Sequence, residues 1–565
     1  MLAALEKRWK IAEPLSPEVS DRLADYKPLE RQILYNRGCQ DADSAQRFLD
    51  ASDEIHDPFL LSDMEKAVAL ILRAIDDQRI IAVYGDYDVD GVTATALMVE
   101  LITALGGLVK AYIPNRFDEG YGLNSDAIQL LSDDGVSLII TVDCGIRSPQ
   151  EAIIAKQLGV ELIISDHHLP HEQIPQADAV ICPKKPGDAY PDKALAGVGL
   201  AYKMASALLQ RRPQENLQAE DWLDLVALGT VADVASLLGE NRSLVRAGLS
   251  RLRSGSRPGV YSLAQVARVN LPVLSTGGIG FNLAPRLNAA GRLESALEAY
   301  DLLTARDSVV IGKLAQRLDD KNQERQRQTI EMQNTAGAQI SQTGLGAIIF
   351  SFKPEYNPGV VGLVAGKLTE AFYRPAVVGT IGEDFTRASC RSIPEFHITR
   401  ALDECADLLE RHGGHALAAG FTVRNERLEE LKLRLRDLAK QQLSASDLRP
   451  VLKADAVVSL ARIQPAELLN FFERMQPTGQ DNPEVKLVSR GVRASRIRKV
   501  GNEGLHLKLA VTDGPITYDA IAFRQGHWFE KMPAKIDILF HLETNYYNGV
   551  ESLQLRIEDL KPSQM

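Results

Sequence analysis

From Ile80 to Gly91 the chain reads Ile-Ile-Ala-Val-Tyr-Gly-Asp-Tyr-Asp-Val-Asp-Gly, an apolar run that stops abruptly at three alternating acids and a glycine. Carboxylates crowded into one turn repel each other, and a divalent cation is the simplest way to keep them ionised together. Oxygen-rich ligand sets suit hard ions such as Mg²⁺ or Mn²⁺. Standing alone, Asp86, Asp88 and Asp90 read equally well as a solvated turn. The pattern recurs, however. Residues 137–142 lead into Asp143-Cys144-Gly145, residues 161–165 lead into Asp166-His167-His168, and the apolar segment 225–232 ends in Asp233.

Short runs rich in Val and Ile read as parallel strands buried on both faces. In open α/β sheets, sites form at the carboxyl ends of such strands. Residues 149–158 have helical composition, so the stretch from Ser137 to His168 reads as a β-α-β unit with a right-handed crossover. That handedness opens the Asp143 and Asp166 ends on the same sheet edge as Asp86 to Asp90. The expectation is four acid-bearing ends converging on one edge.

At 565 residues the chain exceeds one ordinary core, so several domains are expected. A composition of 45% hydrophobic and 25% charged residues is that of a globular protein. The five cysteines are scattered, odd in number and without a C-x-x-C pair, which argues against a disulfide framework or a zinc cluster and fits a reducing cytosol. The first ten residues lack a signal-peptide core, and no apolar stretch approaches the ~20 residues of a membrane span. A cytoplasmic protein with no membrane partner is expected. The net charge of −11 speaks against nucleic acid only on average. Between 485 and 502, Lys486, Arg490, Arg493, Arg496, Arg498 and Lys499 occur without a single acid. Such a run is either a solvated face or a groove that tracks phosphates.

Five segments follow from the pattern: a helical, connective segment 1–60, a doubly wound parallel-sheet α/β domain 61–255, a helical connector 256–340, a second α/β domain 341–448 and a β-rich domain 449–565. Within the connector, residues 316–328 have almost no apolar face, which suits a helix bridging through solvent. In the last segment, alternation at 505–509, 536–540 and 553–557, with a turn signal at Tyr546-Tyr547-Asn548-Gly549, suggests a small OB-like barrel. Two near-miss motifs are set aside. Gly362 to Leu368 lacks the spacing and the hydroxyl of a phosphate loop, and Gly278 to Leu283 lacks the third glycine of a dinucleotide fingerprint. No nucleotide cofactor is expected.

The segments Asp86–Gly91, Thr141–Gly145, Asp166–His168 and Gly229–Val234, in this order, resemble the motifs of the DHH phosphoesterase superfamily. Residues 113–117 with 120–123, Leu195–Gly199, Pro285–Arg292 and Gly413–Ala416 narrow the resemblance to its bacterial single-strand exonuclease family, over nearly the whole chain. The resemblance implies a DHH domain, a DHH-associated domain over 341–448 and an OB-like nucleic-acid-binding domain.

It also implies two ions, Mg²⁺ or Mn²⁺. Asp143 would bridge them, with Asp88 completing one site and Asp90, His167 and Asp233 the other. Asp86 is an additional ligand candidate. The histidine that many relatives carry four residues before Asp88 is here Tyr84. Asp166 and His168 would orient His167 or contact the scissile phosphate, although His168 reads equally as a histidine satisfied by a backbone carbonyl. Arg116, Ser389 and Arg391 are nominated for a 5′-phosphate, and Arg286, Asn288 and Arg292 for the adjoining strand, unless the arginines pair with acids at the domain junction. His415 is either a substrate contact or a packed histidine on a tight turn. Tyr112, Phe117 and Tyr121 are available for stacking, with core packing the simpler role for Tyr112.

The activity implied is 5′-to-3′ exonucleolysis of single-stranded DNA, with a single-strand-binding protein and a helicase as partners. The competing readings are a phosphoesterase acting on short oligonucleotides or cyclic dinucleotides, and a non-catalytic replication scaffold.

Overall fold

The structure, a computed structural model, describes residues 5–52, 54–115, 119–120, 122–547 and 550–563. Two compact units emerge: one holds 58–233 and 250–450, the other 7–57, 234–249 and the chain from 451 onward.

The first unit opens with a five-stranded sheet in the order Leu108–Tyr112, Ile80–Gly85, Val136–Val142, Glu161–Ser165, Ala179–Ile181. Every pairing in it is parallel, as the Val- and Ile-rich runs predict. Val136–Val142 is the central strand and is buried almost throughout. Helix Val89–Ala104 is apolar nearly all round because it is enclosed, packing against helices Gly197–Arg211 and Leu223–Ala232. The last of these corrects the expected fourth strand end. Residues 225–232 are apolar on every side because they form a core helix, a form that periodicity alone does not separate from a buried strand. Asp233 therefore arrives from a helix C-terminus.

Tyr84 stacks on Tyr112 with ring centroids 5.0 Å apart, and its hydroxyl donates to the Gly122 carbonyl at 3.1 Å. Both rings serve packing. The connector helix Ser308–Thr343 also departs from expectation. It buries Leu318, Asp319, Lys321 and Asn322 instead of bridging through solvent. The polar face is tolerated because most of its charges are paired: Asp319 with Arg286 at 2.7 Å, and Lys321 with Glu294 and Glu298 at 2.7 and 2.6 Å.

A second sheet follows in the order Leu409–His415, Ala418–Arg424, Phe385–Arg391, Ala376–Ile381, Ile349–Lys353. Only the last pair is parallel. Ser389 and Arg391 thus lie at the end of a strand, Phe385–Arg391.

In the second unit, strands Leu487–Val500, His506–Asp513, Ile516–Ala522, Val550–Pro562 and Ile536–Tyr547 close into a barrel through pairing of the first with the last. Tyr547 faces Val550 across the antiparallel pair, so the hairpin falls where the turn signal puts it; Asn548 and Gly549 lie outside the described residues. The N-terminal helices are more than connective. Ile33 and Leu34 from Pro28–Asn36, and Leu49 from Ala42–Asp50, are fully buried in one core with Leu487, Phe540 and Leu555 of the barrel. Arg37 meets Asp455 at 2.6 Å, both side chains nearly inaccessible.

Candidate active site

The edge where the parallel strands end gathers the acids. Asp88 caps helix Val89–Ala104, its carboxylate accepting from the amides of Asp90 at 2.9 Å and Gly91 at 3.2 Å. Gly91 lets the turn close, since a Cβ there would stand 2.5 Å from the Asp86 backbone. Asp90 is buried, and each of its oxygens is held by the N-terminus of helix Gly197–Arg211: Gly197 N–H donates at 2.7 Å and Val198 N–H at 2.8 Å. A helix start is a ready anion holder. Asp143 follows the central strand with φ of 64°, left-handed backbone for a residue with a side chain. Strain of this kind persists where the surroundings impose it, and it gathers at functional sites.

Asp166 accepts from the amides of Ile146 at 2.9 Å and His168 at 3.0 Å, and its Oδ1 lies 2.7 Å from His168 Nδ1. Burial pushes the pKa of Asp166 up, but these bonds, led by His168, outweigh it and hold the carboxyl below its ordinary value. His168 is therefore held by a carboxylate. Its ring lies 4.4 Å from that of His167. His167 Nε2 stands 3.1 Å from Asp143 Oδ1 and 3.8 Å from both Asp90 Oδ2 and Asp233 Oδ2.

Three overlapping sets result, each with its candidate ligand atoms within 4.8 Å of one another: Asp86, Asp88 and Asp143; Asp90, His167 and Asp233; Asp143, His167 and His168. Asp143 Oδ1 and His167 Nε2 are both buried, and despite their proximity neither makes a hydrogen bond. Buried polar atoms left in this way call for a further partner. Burial, followed by the neighbouring carboxylates, holds Asp90 and Asp143 well above the usual carboxylate range. Asp233 is pushed up to about 7 by burial and then by Asp88. Burial pulls His167 down to about 3, so its imidazole is neutral and has a lone pair to offer. A buried acid cluster beside a neutral imidazole is the donor set of a hard or borderline divalent cation.

The remaining expected residues lie beyond this cluster. Arg116, Phe117 and Tyr121 fall outside the described residues. Helix Ala284–Leu293 touches the acidic turn, because a Cβ on Gly291 would stand 2.7 Å from the Tyr87 carbonyl. Asn288 and Arg292, four apart, share a face of it. Arg292 donates to the Gly359 carbonyl at 3.4 Å, whereas Arg286 points to the connector helix and pairs with Asp319. Just beyond Gly359, helix Val361–Phe372 begins, and a Cβ on Gly362 would lie 3.5 Å from both Arg391 Nη2 and Ser389 Oγ. Arg391, Ala418 and His415 align across three strands, so His415 is on the same sheet face as Arg391, next to a two-residue turn.

Two features escape a reading of side-chain motifs. The grip on Asp90 comes from backbone amides at Gly197 and Val198, and no residue type announces them. Lys184 also acts on the cluster, its charge opposing the rise of Asp233 and adding to the fall of His167. The only sequence signal is the Lys184-Lys185 pair after Cys182.

Comparison with known proteins fits this geometry. Residues 80–230 match the DHH family N-terminal domain, 344–444 the DHHA1 domain and 454–559 the RecJ OB domain. A carboxylate and histidine cluster at a parallel-sheet edge, followed by that second domain, defines the DHH class. The single-stranded-DNA-specific exonuclease RecJ of Bacillus subtilis is 38% identical over 100% of this chain and 72% of its own length. That of Dickeya dadantii is 35% identical over 97% of this chain and 98% of its own. The crystal structure of RecJ in complex with Mn²⁺ from Thermus thermophilus superposes with a TM-score of 0.84 at 28% identity, covering 99% of this chain and 80% of that one. The chain belongs to the RecJ family.

Proposed function

We propose that this protein is a divalent-metal-dependent exonuclease that digests single-stranded DNA from its 5′ end, in recombination and repair. The observation that carries the reading is the sharing of Asp143 between ligand sets at the end of the central strand, in a chain of this family. Two Mg²⁺ or Mn²⁺ ions held there would supply an activated water and neutralise charge on the scissile phosphate.

The protein's own groups prepare that chemistry. Asp86, Asp88 and Asp143 make one candidate ligand set and Asp90, His167 and Asp233 another, while Asp143 also groups with His167 and His168. Burial keeps His167 neutral, and Asp166 fixes the His168 ring beside it. His168, held by Asp166 and partly exposed, contacts the phosphate in this reading. Ser389 and Arg391, with Arg116, take the terminal phosphate, and His415 lies on the same face. Asn288 and Arg292 take the adjoining strand. A single-strand-binding protein and a helicase are the partners this reading implies, in the cytoplasm. Among the described residues no helix is long and apolar enough to cross a membrane. The closed barrel favours long strands over the short-oligonucleotide alternative, and the assembled ligand sets disfavour a scaffold.

The reading is tested with end-labelled single strands. Arg391→Ala is expected to erase most of any preference for 5′-phosphorylated over 5′-hydroxyl ends, since a charge-assisted bond of about 1.5–3 kcal/mol is roughly one to two decades in affinity. The measurement is kcat/KM for both ends in wild type and variant. An undiminished preference would move the end pocket elsewhere, and release of 3′ nucleotides first would overturn the polarity.

The basic run divides in the structure. Lys486 pairs with Glu558 at 2.8 Å, Arg496 with Asp519 at 3.5 Å and Lys499 with Glu530 at 3.5 Å. Arg490, Arg493 and Arg498 are exposed, with no ion pair among the described residues. Replacing these three by Gln is expected to flatten the plot of log affinity against log salt by about 2, at ~0.7 per phosphate on a single strand. An unchanged slope would leave the run a solvated face. Cutting the chain near 449 is the wrong test, because it strips Ile33, Leu34 and Leu49 of their core.

A further inference from the structure

On the connector helix Ser308–Thr343 three cations are matched to acids: Arg317 meets Glu298 at 2.8 Å, Lys321 meets Glu294 at 2.7 Å and Arg327 meets Glu331 at 2.8 Å. Two cations have no such partner among the described residues, the exposed Lys313 and Arg325, and only Arg325 is drawn into the protein. It is half-buried, its Nε is buried without a hydrogen-bond partner, and it has no carboxylate within ion-pair reach among the described residues. Asp319, nearly two turns back, is engaged elsewhere: Arg286 donates to its Oδ1 and Gln323 to its Oδ2, each at 2.7 Å.

The surroundings sharpen the deficit. Arg325 Nη2 donates to Asn322 Oδ1 at 2.9 Å, which fixes the amide with its oxygen toward the guanidinium. The Asn322 Nδ2 group is then left buried with no acceptor. Burial, followed by the charge of Arg286, holds the Arg325 guanidinium below its ordinary pKa. One turn further along, Asn357 Nδ2 donates to Gln328 Oε1 at 3.0 Å, and Arg292 reaches the Gly359 carbonyl at 3.4 Å. Arg325 therefore sits where the connector helix, the Ala284–Leu293 helix and the segment leading to Gly362, Ser389 and Arg391 come together. A half-buried guanidinium with a buried donor unspent and no carboxylate within ion-pair reach is held at a cost that an anion would offset.

We propose that Arg325 binds a backbone phosphate of the strand being digested. A forked guanidinium suits a phosphodiester oxyanion. The inference rests on the functional reading above and adds a binding residue to it.

The test is binding of a short 5′-phosphorylated oligothymidylate to the full-length protein in EDTA, where no strand is cut, followed by anisotropy against salt concentration. Arg325→Gln is expected to weaken binding about tenfold and to flatten the salt slope by about 0.7. Arg325→Lys restores the slope but only part of the affinity, because it keeps the charge and loses the fork. Arg325→Gln should melt no lower than wild type, since it removes an uncompensated charge. A purely structural arginine would lower the melting temperature and leave the slope alone, and that outcome overturns the proposal. So does an unchanged slope combined with loss of stabilisation by inorganic phosphate, which would make this a free-phosphate site. Wild type that binds no strand in a salt-dependent way overturns the functional reading itself, before any variant is compared.

Discussion

Asp143→Asn is expected to lower turnover by roughly a hundredfold or more in either Mg²⁺ or Mn²⁺, since even the outer partners of metal ligands are worth ~10–100-fold. Asp143 stands at the end of the central strand and belongs to two of the three candidate ligand sets, so its loss is expected to weaken both. The change is nearly isosteric and removes one charge from a buried group of acids. Without a cation, Asp143→Asn should therefore melt at or above the wild-type temperature, while the stabilisation that saturating cation gives wild type shrinks. Single-turnover cleavage of end-labelled strands and thermal melts with and without cation check both halves. Retention of more than about a tenth of wild-type turnover at saturating cation would sink the shared-ligand assignment.

Gly197→Ala is the second large effect. In a helix an alanine ordinarily stabilises relative to glycine, by roughly 0.5–1 kcal/mol. Here the added Cβ would stand 2.6 Å from the Asp143 Cβ and 2.9 Å from its Oδ1. The Gly197 amide also holds Asp90 at 2.7 Å, so a shift that relieves the clash loosens a second acid. A displacement of ~1 Å can cost ~100-fold in rate, and a loss of that order in kcat is expected. Cation titration followed by melting temperature should show weaker binding. A variant with wild-type activity and higher stability would mean that the two acids tolerate movement.

How much of this is legible in the sequence depends on the distance between partners. The strand ends at Asp86, Asp143 and Asp166 can be read because each strand carries its signal locally, in a Val- and Ile-rich run before a polar stop. Asp233 is found by its residue type while its helix reads as a strand, because complete burial removes the periodicity that separates the two. The amides that hold Asp90 cannot be read, since a backbone donor has no letter of its own. The burial of the connector helix is hidden for a related reason. Asp319 and Lys321 look solvent-bound until Arg286, Glu294 and Glu298 are brought to them. The N-terminal helices read as connective because their core partners lie far down the chain; Arg37 and Asp455 are 418 positions apart.

That separation has a consequence in time. Residues 7–57 are synthesised early, and the barrel that completes their core comes from 451 onward. At ~5–20 residues per second, the intervening stretch of about 400 residues takes roughly 20–80 s to make. The parallel sheet and its helices can assemble on the ribosome during that interval. Ile33, Leu34 and Leu49 meanwhile wait without their native neighbours, so the N-terminal helices are the segment where a chaperone would engage the nascent chain and where newly made protein is most open to mispairing. The second unit can become native only after its barrel strands, from 451 onward, have been made.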